Sequence, residues 1–279
     1  MPLTHRAHLF EFEDLPRLPG FIRRGITDLL EYQLNRYRVY DGLAPKLAAL
    51  VAEQGTDAEL IDLCSGSAGP IRRMSDLLQA QTGRAPRVLL TDKFPNLQAF
   101  ERISRASGGR VRFLKEPVDA AGVPSQLTGL RTIFTAFHHF RPAAARRILS
   151  DAAANRAPIA VFEFTSRTWS NLLKAALMGP LLVWVDTLSI RPFSFNRLLF
   201  TYLLPVIPLC YAWDAFASHY RTYSPGELHQ LVAGLPSHGY SWEIGQQPSP
   251  ESGFTLTFLI GRPVPMSAAA PAIASSQLS

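Results

Sequence analysis

Two cysteines in 279 residues, Cys64 and Cys210, are too few and too far apart for a disulfide framework or a thiolate metal centre. So sparing a use of cysteine fits a reducing compartment. Charge is also scarce, with Asp, Glu, Lys and Arg making up 18% of the chain. The net charge of +6 comes from scattered pairs such as Arg23-Arg24, Arg72-Arg73 and Arg146-Arg147, not from a run. Without such a run no nucleic-acid partner is expected. No apolar stretch reaches the ~20 residues of a bilayer span. The opening residues, Met1 to His8, lack the apolar core of a signal peptide. The dinucleotide fingerprint G-x-G-x-x-G is missing as well. These absences lead to the expectation of a cytoplasmic globular protein, peripheral to the membrane at most, with no metal site.

What is present is organised around Glu59 to Pro70, a buried strand that runs into a turn of small residues and then into a helix. Cys64, Ser65, Gly66, Ser67, Ala68 and Gly69 carry almost no side-chain bulk, so a ligand can lie against the backbone there. Further apolar strands follow at Arg87–Asp92, Val111–Leu114, Arg131–Phe137 and Ile159–Phe164, separated by helical segments. That alternation predicts an α/β fold, a Rossmann-like doubly wound sheet, mostly parallel. Tyr240–Gly245 and Phe254–Ile260 predict a terminal hairpin that places an antiparallel C-terminal strand in the sheet. Ser224 with Glu227 three residues on reads as a capping box. The expected organisation is a helical cap over 1–56, the α/β domain over 57–262 and an Ala/Ser/Pro-rich disordered tail over 263–279.

Asp62, Asp92, Asp119 and the His138-His139 pair all fall at or just past strand C-terminal ends, where open α/β sheets bind ligands. A pyrophosphate needs free N–H groups at the helix start, yet Cys64 replaces the first glycine and Pro70 has no N–H to give. Acids in these positions suit a cationic ligand without phosphate: Asp62 its amino end, Asp92 two ribose hydroxyls, Asp119 an adenine amino group.

The ordered set resembles the class I S-adenosylmethionine-dependent methyltransferases of the small-molecule type. Asp62-Leu63-Cys64-Ser65-Gly66-Ser67-Ala68-Gly69 stands where that family has an acid and a glycine-rich turn, departing from it at Cys64 and Ala68. The resemblance covers Glu59 to Phe164, and again Tyr223 to Ile260. It implies S-adenosylmethionine as methyl donor, held by Asp62, Cys64, Ser65, Gly66, Ala68, Gly69, Asp92, Lys93, Val118, Asp119 and Phe137. It implies that Phe137-His138-His139-Phe140 lines the transfer site. Either His139 or His138 is then a candidate base, with Glu163 a second one. Adjacent strand residues point to opposite faces, so one histidine at most is expected to reach the acceptor, and the pair is expected to make a poor metal site. The alternatives are a nucleotide-dependent oxidoreductase on a similar sheet and a non-catalytic, membrane-associated scaffold that keeps a donor-binding fold.

The rhythm breaks after Phe164. Residues 168–218 hold two apolar blocks, Leu172–Leu188 and Leu198–Trp213, each interrupted by proline. In the resembled family this region often covers the acceptor, so a small hydrophobic acceptor is expected. The blocks read either as a helical cover or as a membrane-surface contact anchored by Lys174, Arg191 and Arg197. The sequence gives no oligomeric state.

Overall fold

A computed structural model describes residues 5–55, 58–235 and 239–264. Its centre is a seven-stranded sheet in the order β3-β2-β1-β4-β5-β7-β6. The five parallel strands are β1 (Glu59–Asp62), β2 (Arg87–Leu90), β3 (Val111–Phe113), β4 (Leu130–Phe134) and β5 (Ile159–Glu163). β6 (Tyr240–Ser249) and β7 (Phe254–Pro263) form the hairpin, and β7 runs antiparallel to β5.

Strand alternation sorts side chains to the two faces. Leu60, Val88, Leu130 and Phe162 meet α2 (Ala44–Glu53) and α3 (Ile71–Thr82) in one cluster, which α4 (Leu97–Ala106) joins through Phe100 and Ile103. Ile61, Ile133, Val161 and Leu259 meet α5 (Pro142–Ala154) and α9 (Pro225–Val232) on the other side. The expected capping box at the start of α9 is present, with both Ser224 and Glu227 bonded.

A third cluster lies off the sheet. Ile22, Ile26 and Leu29 of α1 (Gly20–Arg36) pack against Val183, Ile207 and Cys210. These partners belong to the apolar segment, which folds as α6 (Trp169–Thr187), α7 (Phe195–Leu198), a π turn over Leu199–Leu203 and α8 (Val206–Arg221). Pro180 sits within α6 without ending it. No described helix is long and apolar enough to cross a membrane, and the pair Phe195–Leu203 and Val206–Arg221 is bent by 80°.

Two expectations change. The fourth strand ends at Phe134, and Phe137–His139 form a 3₁₀ turn. Between β2 and β3, α4 starts at Leu97, because Asn96 caps it by accepting from the Ala99 N–H. β7 extends to Pro263, which is paired with Tyr240, so the tail does not begin at 263. The rest of that expected tail, 265–279, lies outside the described residues.

Candidate functional site

The chain leaves β1 for β2 and β3 on one side of the sheet and reaches β4 on the other, so strand order reverses between β1 and β4. A crevice is expected at the strand ends there. A cleft of about 600 Å³ occupies it, walled by the Cys64–Gly69 turn, by Asp92 and Lys93, and by Thr27, Leu30 and Leu34 of α1. A second cavity of about 480 Å³ adjoins it, under Ala175, Met178 and Leu182 of α6. Glu13, Leu30, Thr135 and His139 line both.

The small-residue turn is tightly wound. Cys64 and Ala68 have φ of 58° and 73°, and Gly66 and Gly69 also lie at positive φ. Two side-chain-bearing residues thus hold the left-handed conformation that glycine adopts freely. Three amides of the turn, those of Ser65, Gly66 and Ala68, are already used, as is the Ile71 amide just beyond it. Ser65 N–H donates to Thr91 O, Gly66 N–H to Asp92 Oδ2 at 2.8 Å, Ala68 N–H to Ser65 O and Ile71 N–H to Ala68 O. With those donors spent and a carboxylate against the turn, the cradle suits a cationic, phosphate-free ligand better than a pyrophosphate.

The residues expected around the donor divide into two groups. Cys64, Ser65, Gly66, Gly69, Asp92 and Lys93 line the cleft. Asp92 is fixed by two N–H groups, Gly66 on Oδ2 and Phe94 on Oδ1 at 2.7 Å. Asp62, Ala68, Val118, Asp119 and Phe137 are not in that lining. The Asp62 carboxyl lies beneath the turn, accepting from Thr132 Oγ1 at 2.8 Å, and burial pushes it up to about 7 against its hydrogen bonds. Asp119 is paired on the surface with Lys93 at 3.0 Å. Phe137 is buried against Tyr223.

The histidines depart further from expectation. They were expected on opposite faces of a strand, but a 3₁₀ turn brings their rings together, with centroids 4.4 Å apart. Both therefore reach one cluster. His138 is buried, and its Nδ1 lies 3.0 Å from Glu163 Oε2 while its backbone N–H donates to Glu163 Oε1. Burial would raise the Glu163 carboxyl, but the His138 ring and N–H outweigh it and hold it below its usual value. His138 Nε2 has no hydrogen-bond partner. His139 lies 2.9 Å from Asp14 Oδ1 and 3.4 Å from Glu11 Oε2. Burial alone would lower it, but these acids raise it to about 10, so it is a cation at neutral pH and cannot take a proton there.

Glu11, Glu13 and Asp14 belong to the N-terminal arm and were missed by sequence reasoning. The signal was the acid-dense stretch Glu11-Phe12-Glu13-Asp14 in a chain poor in acids. Arg221, at the end of α8, was missed too. Its fully buried guanidinium reaches Asp14 at 2.6 Å, Glu11 at 3.2 Å and the His139 carbonyl at 2.8 Å. Among the described residues, donor atoms of Glu11, His138 and His139 lie within 4.8 Å of one another, which is a metal-ligating set by residue type. Here the Arg221 guanidinium supplies the positive charge that Glu11 attracts.

No protein-family model matches this chain, and no curated protein does. Among solved structures it is similar to the plantazolicin methyltransferase BpumL in complex with SAH, at 12% identity over 87% of this chain and 97% of that one, TM-score 0.45. It is similar to the O-methyltransferase NcsB1 of neocarzinostatin biosynthesis, at 17% identity over 79% of this chain and 52% of that one, TM-score 0.43. A structure described as putative Zn-dependent alcohol dehydrogenases from Rhodobacter sphaeroides is also similar, at 12% identity over 85% of this chain and 98% of that one, TM-score 0.45. At these identities and TM-scores the functional reading rests on this chain's own site.

Proposed function

We propose that this chain transfers a methyl group from S-adenosylmethionine, held in the first cavity, to a small apolar acceptor held in the second. The observation that carries the reading is that the two cavities meet at the turn following β4, which bears a buried imidazole with one nitrogen that makes no hydrogen bond. The donor supplies an electrophilic sulfonium methyl, and its cationic, phosphate-free character matches a turn that has the Asp92 carboxylate against it and three of its amides already bonded. Asp92 would accept from the ribose hydroxyls while it braces the turn. Asp62 acts from beneath, through Thr132 and the strand end.

His138 is the base in this reading. Glu163 accepts the Nδ1 proton and thereby fixes the tautomer that leaves a lone pair on Nε2. That nitrogen takes the acceptor's proton as its nucleophile attacks the methyl carbon. His139, as a cation, cannot share the task; it places positive charge where the cavities join. The apolar wall of α6 gives the acceptor an apolar body to match. Alignment of the two reactants supplies much of the rate enhancement.

Calorimetry tests the donor: saturable binding of S-adenosylmethionine and of its demethylated product, with none of a nicotinamide dinucleotide, is the expected result. Binding of the dinucleotide alone would return the site to the oxidoreductase reading. A screen of phenols, amines and carbon acids with labelled donor then tests the acceptor. Transfer that survives unchanged in His138→Gln overturns the base assignment.

A further inference from the structure

A helix that is apolar around its whole circumference belongs in a core or a membrane. From Ala175 to Val185 α6 is such a helix, yet one side of it is bare. Ala175, Met178 and Leu182 line the second cavity, and Leu172 and Val183 are buried in the protein. Trp169, Leu173, Leu177, Leu181, Trp184 and Leu188 form a third stripe at three- and four-residue steps, and every one of them is exposed. The apolar surface continues past the end of α6, through Phe193, Phe195, Leu203, Leu204 and Leu209. Phe195 is 78% exposed and Leu203 74%. The Tyr202 hydroxyl donates to the Trp184 carbonyl and ties the two parts together. Contiguous exposed apolar surface on this scale marks an interaction site.

Charge on the same segment indicates the occupant. Residues 168–218 contain two acids, Asp186 and Asp214, and both are buried. Asp186 accepts from Gln33 and Tyr37, and Asp214 from the Phe12 and Glu13 backbone. The exposed charges, Lys174 and Arg191, are both cations. An apolar face whose own segment exposes only positive charge complements an anionic lipid surface. A second copy of the chain would bring the same cations and no exposed acid from this segment. The bend of 80° between Phe195–Leu203 and Val206–Arg221 leaves no straight span in the segment. Lys174 and Met178 are both exposed and part of the lining of the second cavity, so the rim of that cavity lies along the same helix.

We propose that the exposed apolar face of residues 169–209 rests on an anionic lipid bilayer, which sets the rim of the second cavity at the lipid surface. An acceptor that enters from the lipid is then an amphiphile; this last step rests on the methyl-transfer reading, whereas the docking does not.

Vesicle flotation tests the docking. The full chain should float with phosphatidylcholine vesicles containing phosphatidylglycerol, much less with phosphatidylcholine alone, and should be released by high salt. Leu177→Glu combined with Leu181→Glu should abolish flotation. Both positions are solvent-facing, so the melting temperature and S-adenosylmethionine binding should be unchanged in that variant. Lys174→Glu should lower partition onto the anionic vesicles by roughly tenfold. Failure of the unaltered chain to float, or equal flotation by the double variant, overturns the proposal. So does a non-floating dimer that Leu177→Glu dissociates, which would assign the face to a second copy. Donor binding measured on the same samples stands or falls separately.

Discussion

His138 Nδ1 lies 3.0 Å from Glu163 Oε2, while Nε2 of the same ring, equally buried, makes no hydrogen bond and lies 3.8 Å from Glu11 Oε1. The pair is therefore polarised in one sense: the carboxylate takes the proton side of the ring and leaves the lone-pair side for chemistry. Glu163→Gln removes that bias, because an amide can donate to Nδ1 and turn the tautomer round. With any acceptor the native chain methylates, His138→Gln and Glu163→Gln should each lower kcat by roughly 10²–10⁴. Donor affinity measured by calorimetry should stay within twofold of the native value, given as about equal because neither group lines the first cavity. A parallel fall in donor affinity would instead make the pair structural.

Asp92 accepts from Gly66 and Phe94 and lines the cleft, so it shapes the turn and meets the ligand at once. Asp92→Ala should weaken S-adenosylmethionine binding by about 2 kcal/mol, the cost of losing hydrogen bonds to a charged group. Asp92→Asn should lose less. Gly66→Ala gives a sharper contrast. A Cβ there meets nothing within 4 Å, but φ is 55°. The fold should lose only about 1 kcal/mol to the left-handed strain, while the added methyl narrows the cleft and weakens the donor. Paired denaturation and calorimetry separate the two effects.

Ala68 makes the opposite prediction. It is buried with φ of 73°, a conformation that suits glycine. Ala68→Gly should stabilise the fold by up to about 1 kcal/mol, less what the freer unfolded chain gives back. Urea denaturation should show a higher midpoint with the slope unchanged. Cys64→Gly should gain less, because the partly buried thiol packs against the Ile61 cluster and that contact is lost.

His139 sets a pH window. Its pKa rises from 6.5 to about 10 on folding, with Glu11 and Asp14 overcoming burial and Arg221. A raised pKa means the folded state binds the extra proton. The contribution is complete below about 6.5 and is lost as pH rises through about 10. Thermal unfolding should show the melting temperature falling between those limits, and His139→Asn should flatten that fall while lowering stability at pH 6.

The sheet was legible because its strands are short apolar runs at βα spacing, and Asp92 and the turn sat where such a sheet exposes its ligand edge. The histidine geometry was not. Alternation puts His138 and His139 on opposite faces only if the strand reaches them, but it ends at Phe134, and Thr135 at φ 51° leads the chain into a 3₁₀ turn. Nothing local marks a β-branched residue for positive φ; the turn is held by tertiary bonds, from Thr135 N–H to the Phe162 carbonyl and from Thr135 Oγ1 to Tyr40. The arm acids were hidden for a related reason. Their partner, Arg221, is 207 residues away from Asp14, and periodicity carries no information at that range.

That separation also gives the site a place in time. During synthesis Glu11 and Asp14 precede the sheet, yet the guanidinium that neutralises them is made only after all five parallel strands and the apolar segment. Contacts this distant along the chain form late. Until α8 is complete the turn after β4 lacks the Arg221 side chain that bonds the His138 and His139 carbonyls. A nascent chain stopped between Glu163 and Arg221 would carry the five parallel strands and the turn, but not the guanidinium that holds Glu11 and Asp14 beside His139.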